Sequence, residues 1–353
     1  MTKIESVMDR ISGIDSAILD KAQRRLDSLT KPLGSLGKLE EIAKQIVGIT
    51  GRDRPVLNDK AIFTFAADHG VVEEGVSAYP KEVTAQMVYN FLRGGAGINV
   101  LARHAGARVV VADVGVAEDL VPHKKLIIKK IGRGTNNIAK GQAMTREMAI
   151  RAIETGIEIF ESEKAKGIDL AGTGEMGIGN TTPSTAITAV FTGSPIEDVT
   201  GRGTGIDDAS LSRKINIIKK ALKINSPDPN DPIGVLAKVG GFEIGAICGV
   251  ILASSATRVP IVIDGFISGA AALLAFHIEP RVKEYMIASH SSVESGHKII
   301  LEHIGIEPIM NLKLRLGEGT GSAIAMNIID SSVKIYNEMA TFEEASVSQK
   351  KAL

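Results

Sequence analysis

Residues Asp169-Leu-Ala-Gly-Thr-Gly-Glu-Met-Gly-Ile-Gly-Asn-Thr-Thr-Pro-Ser184 carry the first signal of an architecture. A short apolar strand runs into Gly172, Gly174, Gly177 and Gly179, and Thr181 or Thr182 ahead of Pro183 supplies an N-cap followed by a favoured first helical residue. Backbone N–H groups left free at such a helix start suit a phosphate. On either side of this stretch, Ala61-Ile-Phe-Thr-Phe-Ala66, Arg108-Val-Val-Val-Ala-Asp-Val114 and Val259-Pro-Ile-Val-Ile-Asp264 each read as a buried strand ending in polar or glycine turns. Between them lie helical patterns such as Met148 to Glu163, where Ala149, Ile150, Ile153, Ile157 and Phe160 recur at three- and four-residue steps. Strands alternating with helices predict an α/β fold with a mainly parallel, Rossmann-like sheet, right-handed crossovers and flanking helices. Ligands in such sheets sit beyond the carboxyl ends of the strands. Three of those ends carry acids: Asp68-His69-Gly70, Asp113 and Asp264-Gly265.

The two chain ends read as helical. Ile14, Ile18, Ala22 and Leu26 share one face, and Leu36, Leu39, Ala43, Ile46 and Val47 share another, with a break at Thr30-Lys-Pro-Leu-Gly34. The glycine cluster Gly317-Glu-Gly-Thr-Gly321 opens a last helix running to about Met339, and the polar tail Gln349-Lys-Lys-Ala-Leu353 is expected to fray. The expected division is residues 1–55 as the N-terminal helical part of a small subdomain, 56–318 as the Rossmann-like catalytic domain, and 319–353 joining the small subdomain.

Composition narrows the function. Of 353 residues, 44% are hydrophobic and 23% charged, which excludes a disordered or fibrous chain. Forty-one Lys and Arg balance 41 Asp and Glu, so no net field holds a polyanion or an anionic membrane, and the absence of Trp leaves few stacking platforms. Neither nucleic acid nor membrane is expected as a partner. The single cysteine, Cys248, lies in an apolar run as a buried hydrophobe. The start Met1-Thr-Lys-Ile-Glu-Ser-Val-Met-Asp-Arg10 is too polar for a secretory signal, and no apolar run reaches the roughly 20 residues of a membrane span. A soluble cytoplasmic protein is the expectation. The seven His residues contain no His-x3-His pair, and Cys248 has no partner, so no metal site is expected. No Gly-x-Ser-x-Gly elbow occurs either.

Three glycine strings remain as candidate sites. In the first, Gly172, Gly174 and Gly177 satisfy a dinucleotide fingerprint with Glu197 about twenty residues on, but Glu197 follows the turn Gly193-Ser-Pro195 rather than a strand, which favours a mononucleotide phosphate loop. The second, Thr200-Gly-Arg-Gly-Thr-Gly205, precedes a helix from Asp207 carrying Arg213, Lys214, Lys219 and Lys220. Lys214 lies about two turns along it, within reach of a phosphate; the alternative is a solvated basic face. The third, Arg315-Leu-Gly-Glu-Gly-Thr-Gly321, sets Glu318 between glycines, where a planar ligand can close on it, desolvate it and raise its pKa toward that of a useful base. The alternative is a helix-start glutamate favoured by the dipole.

Lys31-Pro-Leu-Gly-Ser-Leu-Gly37, Ala67-Asp-His-Gly70, Gly172 to Pro183, Val239-Gly-Gly-Phe-Glu243, Ile263-Asp-Gly-Phe266, Ser289-His290 and Leu316-Gly-Glu-Gly319 run in one order over nearly the whole chain. Together they resemble the nicotinate-nucleotide:dimethylbenzimidazole phosphoribosyltransferase (CobT) family. The resemblance implies transfer of the phosphoribosyl group of nicotinate mononucleotide to 5,6-dimethylbenzimidazole with inversion at C1′, giving α-ribazole 5′-phosphate in cobalamin assembly, without cofactor or metal and in a homodimer. It implies Glu318 as general base, with Glu175 in reserve near the ribose. Gly174, Gly177, Asn180, Thr181, Gly201, Gly203, Lys214, Ser291 and Ser292 fall on the phosphoribosyl side, and Tyr79, Gln86, Met87 and Leu316 on the benzimidazole side, with either Gln86 or Met87 facing the ring. The rival readings are an NAD(P)-dependent oxidoreductase and a non-catalytic nucleotide- or base-binding protein.

Overall fold

The fold, taken from a computed structural model, describes residues 2–348, so the tail Gln349–Leu353 lies outside the described residues. Six strands form one wholly parallel sheet: β1 (Lys60–Ala67), β2 (Ala107–Gly115), β3 (Leu126–Ile128), β4 (Leu170–Met176), β5 (Ile261–Ile263) and β6 (Met286–Ala288). Their order is β3-β2-β1-β4-β5-β6, the doubly wound arrangement in which the chain reverses direction between β1 and β4. β1 alternates between two cores. Ala61, Phe63, Phe65 and Ala67 join one hydrophobic cluster, and Ile62 and Ala66 join the other across the sheet. A strand covered on both faces needs apolar residues throughout, which is why β1 reads as a continuous run.

Two strands, β3 and β6, carry no sequence signal of their own. Each is three residues long at a sheet edge, too short for a period to show. The reading of residues 169–184 also needs correction. β4 continues through Gly172 and Gly174 to Met176, so these glycines belong to a strand and not to a loop. They are glycine because the last helix and its turn press on the sheet. A Cβ at Gly172 would lie 3.0 Å from Ser322 Cβ and Met326 Cε, and one at Gly174 would lie 2.4 Å from the carbonyl oxygen of Glu318. The following helix is Thr181–Thr192, with Asn180 at its cap position and Pro183 third rather than first. Asn180 makes no capping bond because its amide donates to the Glu175 carboxylate instead.

The helices Ser16–Ser28 and Lys38–Thr50 meet the last helix, Thr320–Glu338, in a satellite cluster of Ala22, Leu26, Leu29, Ala43, Val47 and Tyr336. The Arg25 guanidinium sits 5.4 Å from the Tyr336 ring centroid, and a buried Lys31–Glu40 pair at 2.9 Å fixes the break between the first two of these helices. Thr320–Glu338 also packs its Ala323, Met326 and Ile329 into the second core, so the chain ends are tied to the sheet. No helix among the described residues is long and apolar enough to cross a membrane.

The first core rests on one close helix crossing. In the pair Arg146–Lys164 and Phe242–Ala256, a Cβ on Gly156 would lie 1.9 Å from the Ala246 carbonyl oxygen and one on Gly249 would lie 1.9 Å from that of Ile153. Both approaches are to backbone, which cannot swing aside. Gly249→Ala is therefore expected to destabilise the protein by about 1–3 kcal/mol, the usual cost of overpacking, read as a lower urea midpoint at unchanged slope. A wild-type midpoint would contradict this crossing.

Candidate active site

A cleft of about 650 Å³ opens beyond the carboxyl ends of β4, β5 and β6, with the segment after β1 as its outer wall, at the point where the strand order reverses. Glu175 to Thr181 form its floor, Gly265 to Ile267 with His290, Ser292 and Glu294 one side, Lys313 to Glu318 a covering turn, and Val76, Tyr79, Val83 and Met87 the apolar face opposite.

Glu318 reaches this cleft from a strained turn. Gly317, Glu318 and Gly319 have φ of 80°, 63° and 98°, and the middle residue adopts a left-handed conformation although it carries a side chain. Three contacts hold it there. Thr64 Oγ1 donates to the Glu318 carbonyl at 3.0 Å, and the Asp264 carboxylate accepts the N–H groups of Gly319 and Ser322, both at 3.1 Å. The Ile98 N–H donates to Glu318 Oε2 at 3.1 Å. Ile98 is the second residue of the helix Gly97–Ala105, so the side chain meets a helix start, though not that of its own helix. Burial raises the pKa of Glu318, and the Ile98 N–H partly offsets that rise, leaving a carboxylate more basic than an ordinary glutamate.

Further acids lie on the floor and buried behind it. Burial first, then the charges of Asp264 and Glu243, push the pKa of Glu175 up to about 8 against the stabilising Asn180 amide. Asp264 is raised to about 7 by burial, moderated by the N–H groups it accepts. Glu243 is paired with His69 at 2.8 Å, both buried. Burial opposes charge on His69, but the carboxylate of Glu243 outweighs it, so its pKa is raised. Such a floor carries a negative potential that a cationic ring or a developing positive charge at a sugar carbon relieves.

The other end of the cleft is backed by a buried cation. Thr181 starts the helix, but the Thr182 N–H is taken by the Gly179 carbonyl at 3.0 Å and Pro183 has none, so positive charge here comes from Lys214, which is wholly buried and donates to Thr181 Oγ1 at 2.8 Å and to the Gly201 carbonyl at 3.3 Å. Burial lowers the pKa of Lys214 to about 8, while Glu294 works in the opposite direction. Glu294 Oε1 accepts the Gly203 N–H at 2.9 Å, so the second glycine string is clamped from below.

Of the residues proposed from sequence, Glu318, Glu175, Gly177, Asn180, Thr181, Gly203, Ser292, Tyr79, Met87 and Leu316 line the cleft. Five do not. Gly174 lies in β4 behind the Glu318 turn, and Gly201 packs against the Glu294 carboxylate. Lys214 stands behind Thr181, and the Ser291 N–H is committed to the Met310 carbonyl at 2.9 Å. Gln86 points out to solvent while Met87, next along the helix Val83–Arg93, turns to the cleft. Arg213, Lys219 and Lys220 form the solvated basic face, from which Lys214 alone turns inward. Glu197, the acid of the dinucleotide fingerprint, pairs with Lys219 at the surface and is absent from the cleft wall. The hydride-transfer reading loses its support there. Sequence reasoning assigned no site role to Asp264, Glu243 or Glu294. Asp264 and His69 carried the signal of polar residues at strand ends; Glu294 carried none. Among the described residues, no three His, Cys, Asp or Glu side chains are grouped to hold a metal ion.

A family model described as Phosphoribosyltransferase matches residues 11–347. The nicotinate-nucleotide–dimethylbenzimidazole phosphoribosyltransferase of Geotalea uraniireducens is 59% identical over 349 residues, 99% of each chain. Its namesake from Desulforudis audaxviator is 55% identical over 351 residues, again 99% of each. The crystal structure of CobT from Thermus thermophilus shares 46% identity and superposes with a TM-score of 0.92, covering 95% of this chain and all of that one (100%).

The raised pKa of Glu175 has a signed consequence for stability. Its folded value of about 8 exceeds the ordinary 4.5, so its stabilising contribution is complete below the latter and is lost as pH rises through the former. Glu175→Gln removes this titration. Its melting temperature, relative to wild type, should rise progressively between pH 5 and about 8; a constant difference across that range would show that Glu175 is ionised throughout.

Proposed function

The chain belongs to the nicotinate-nucleotide–dimethylbenzimidazole phosphoribosyltransferase family, and we propose how its cleft moves a phosphoribosyl group in cobalamin lower-ligand assembly. The donor is nicotinate mononucleotide and the acceptor 5,6-dimethylbenzimidazole. The nucleotide phosphate lies at the start of the helix Thr181–Thr192, beside Gly203 and Ser292, with Lys214 supplying positive charge through Thr181. Its ribose and pyridinium ring then extend over the acidic floor. The benzimidazole occupies the apolar side formed by Tyr79, Val83, Met87 and Leu316, with Glu318 at its edge.

The chemistry needs one base and good placement. A benzimidazole nitrogen attacks C1′ as the bond from C1′ to the pyridinium nitrogen breaks. The bonding pair stays with that nitrogen, so nicotinate leaves with a neutral ring and requires no acid. Attack on the face opposite the leaving ring inverts C1′. The proton on the other benzimidazole nitrogen passes to Glu318, and α-ribazole 5′-phosphate is formed. While C1′ is positive, the floor acids stabilise it electrostatically. Glu175, uncharged near neutral pH, acts as a hydrogen-bonding group beside the sugar and not as the base.

The observation that carries this reading is a buried carboxylate anchored by one backbone N–H and set on an apolar cleft whose far end is backed by the buried Lys214. Exposed Tyr79 and Leu316 at the rim are part of the same proposal, as surface that a second copy of the chain covers in a homodimer.

Mixing protein, nicotinate mononucleotide and dimethylbenzimidazole should yield α-ribazole 5′-phosphate by mass spectrometry, and Glu318→Gln should lower kcat by about 10²-fold or more. Because burial raises the Glu318 pKa, wild-type activity falls as pH drops through that raised value, and the variant lacks this acid limb. A fully active Glu318→Gln enzyme would transfer the base role elsewhere. Lys214→Met should raise KM for the nucleotide about tenfold or more while sparing KM for the benzimidazole, as steady-state kinetics would show.

A further inference from the structure

His290 lies on the cleft wall but has no part in the transfer just described. Its ring is held by Ser289. Ser289 Oγ is 2.8 Å from the main-chain carbonyl oxygen of Asp264 and 2.9 Å from His290 Nδ1. A carbonyl oxygen only accepts, and a serine has one hydroxyl proton, so that proton goes to Asp264. Ser289 Oγ must then accept from His290, which places the ring proton on Nδ1. The tautomer is thereby decided, and Nε2 carries a lone pair.

His290 lines the cleft, and with Nδ1 turned to Ser289 and Gly321 the nitrogen left to it is Nε2. No protein group bonds it among the described residues, whereas the neighbouring imidazole of His297 is engaged by the Ser292 N–H at 3.1 Å. Burial also lowers the pKa of His290 to about 4, so the ring stays uncharged at neutral pH. The cleft therefore holds a neutral acceptor between two ends of different character. Ser292, two residues on, belongs to the anion end, while the ring itself packs over the first turn of the last helix, where a Cβ on Gly321 would meet Nδ1 at 2.1 Å. A lone pair repels phosphate and carboxylate alike. In a ribonucleotide laid from the anion end to the Glu318 turn, the donors at that middle position are the sugar hydroxyls.

We propose that His290 Nε2 accepts a hydrogen bond from a ribose hydroxyl of the nucleotide, and that Ser289 acts as the positioning residue that sets the tautomer. This selects the nucleotide that carries that hydroxyl over the analogue that lacks it and orients C1′ toward the attacking base. The inference rests on the nucleotide reading of the cleft. Its test uses binding, so that the two fail separately.

Calorimetric Kd values for nicotinate mononucleotide and its 2′-deoxy and 3′-deoxy analogues should show wild type discriminating against one analogue by about tenfold or more. In His290→Leu that ratio should collapse toward unity while the other is kept, and in His290→Gln, whose amide oxygen can take the place of Nε2, it should partly return. A purely structural histidine would weaken all three nucleotides together. Ratios unchanged in His290→Leu overturn the proposal. Nucleotide binding absent from wild type overturns the reading beneath it. Independently of folding in the variants, ¹⁵N shifts of the wild-type imidazoles should report a proton on Nδ1 of His290, and Ser289→Ala should release that tautomer. An Nε2-protonated ring in wild type would refute the assignment.

Discussion

The Asp264 carboxylate, receiving the N–H groups of Gly319 and Ser322, is the contact on which the site depends. It joins the end of β5 to the first turn of the last helix, and so ties a segment 55 residues further along the chain to the sheet. Without that tie, only the Thr64 hydroxyl holds the left-handed backbone of Glu318 against the space left by Gly174. A carboxylate buried in this way is costly unless hydrogen-bonded, and here the helix start supplies the donors. The arrangement is mutual: the helix end needs an acceptor, and the acid needs donors.

Charge organises the rest of the cleft. One end combines a helix start with a buried lysine, while at the other Glu175 lies within reach of the charges of Glu318 on the cleft wall and of Asp264 and Glu243 buried behind it. Burial first, and then the neighbouring carboxylates, raise Glu175 and Asp264, so the cleft holds fewer negative charges than it has carboxyl groups. A substrate with an anionic phosphate at one end and a cationic ring at the other matches this polarity along its length. The same gradient favours the moment when positive charge moves to C1′, because the dipoles and carboxylates are already in place before the reaction begins.

The glycines show where linear reading succeeds and where it stops. Gly317 and Gly319 are glycine for their backbone angles, which the string around Glu318 announces. Gly172 and Gly174 are glycine because another element lies against them, and a one-dimensional pattern presents them as a phosphate loop. Lys214 and its neighbours differ in the same way. Sequence places four basic residues on one helix, but only packing turns one of them inward and leaves the others in water.

Local periodicity and long motifs kept in order were enough to reveal the fold class, four of the six strands, the terminal helices and the family. Linear reading also marked Glu318, whose flanking glycines clear space around it. The two edge strands, the pairing of Asp264 with the last helix, the acidic floor and the tautomer of His290 came into being only with the folded chain. Each depends on groups far apart in the chain meeting at hydrogen-bond distance, and on the loss of water there, neither of which a residue's neighbours in sequence record.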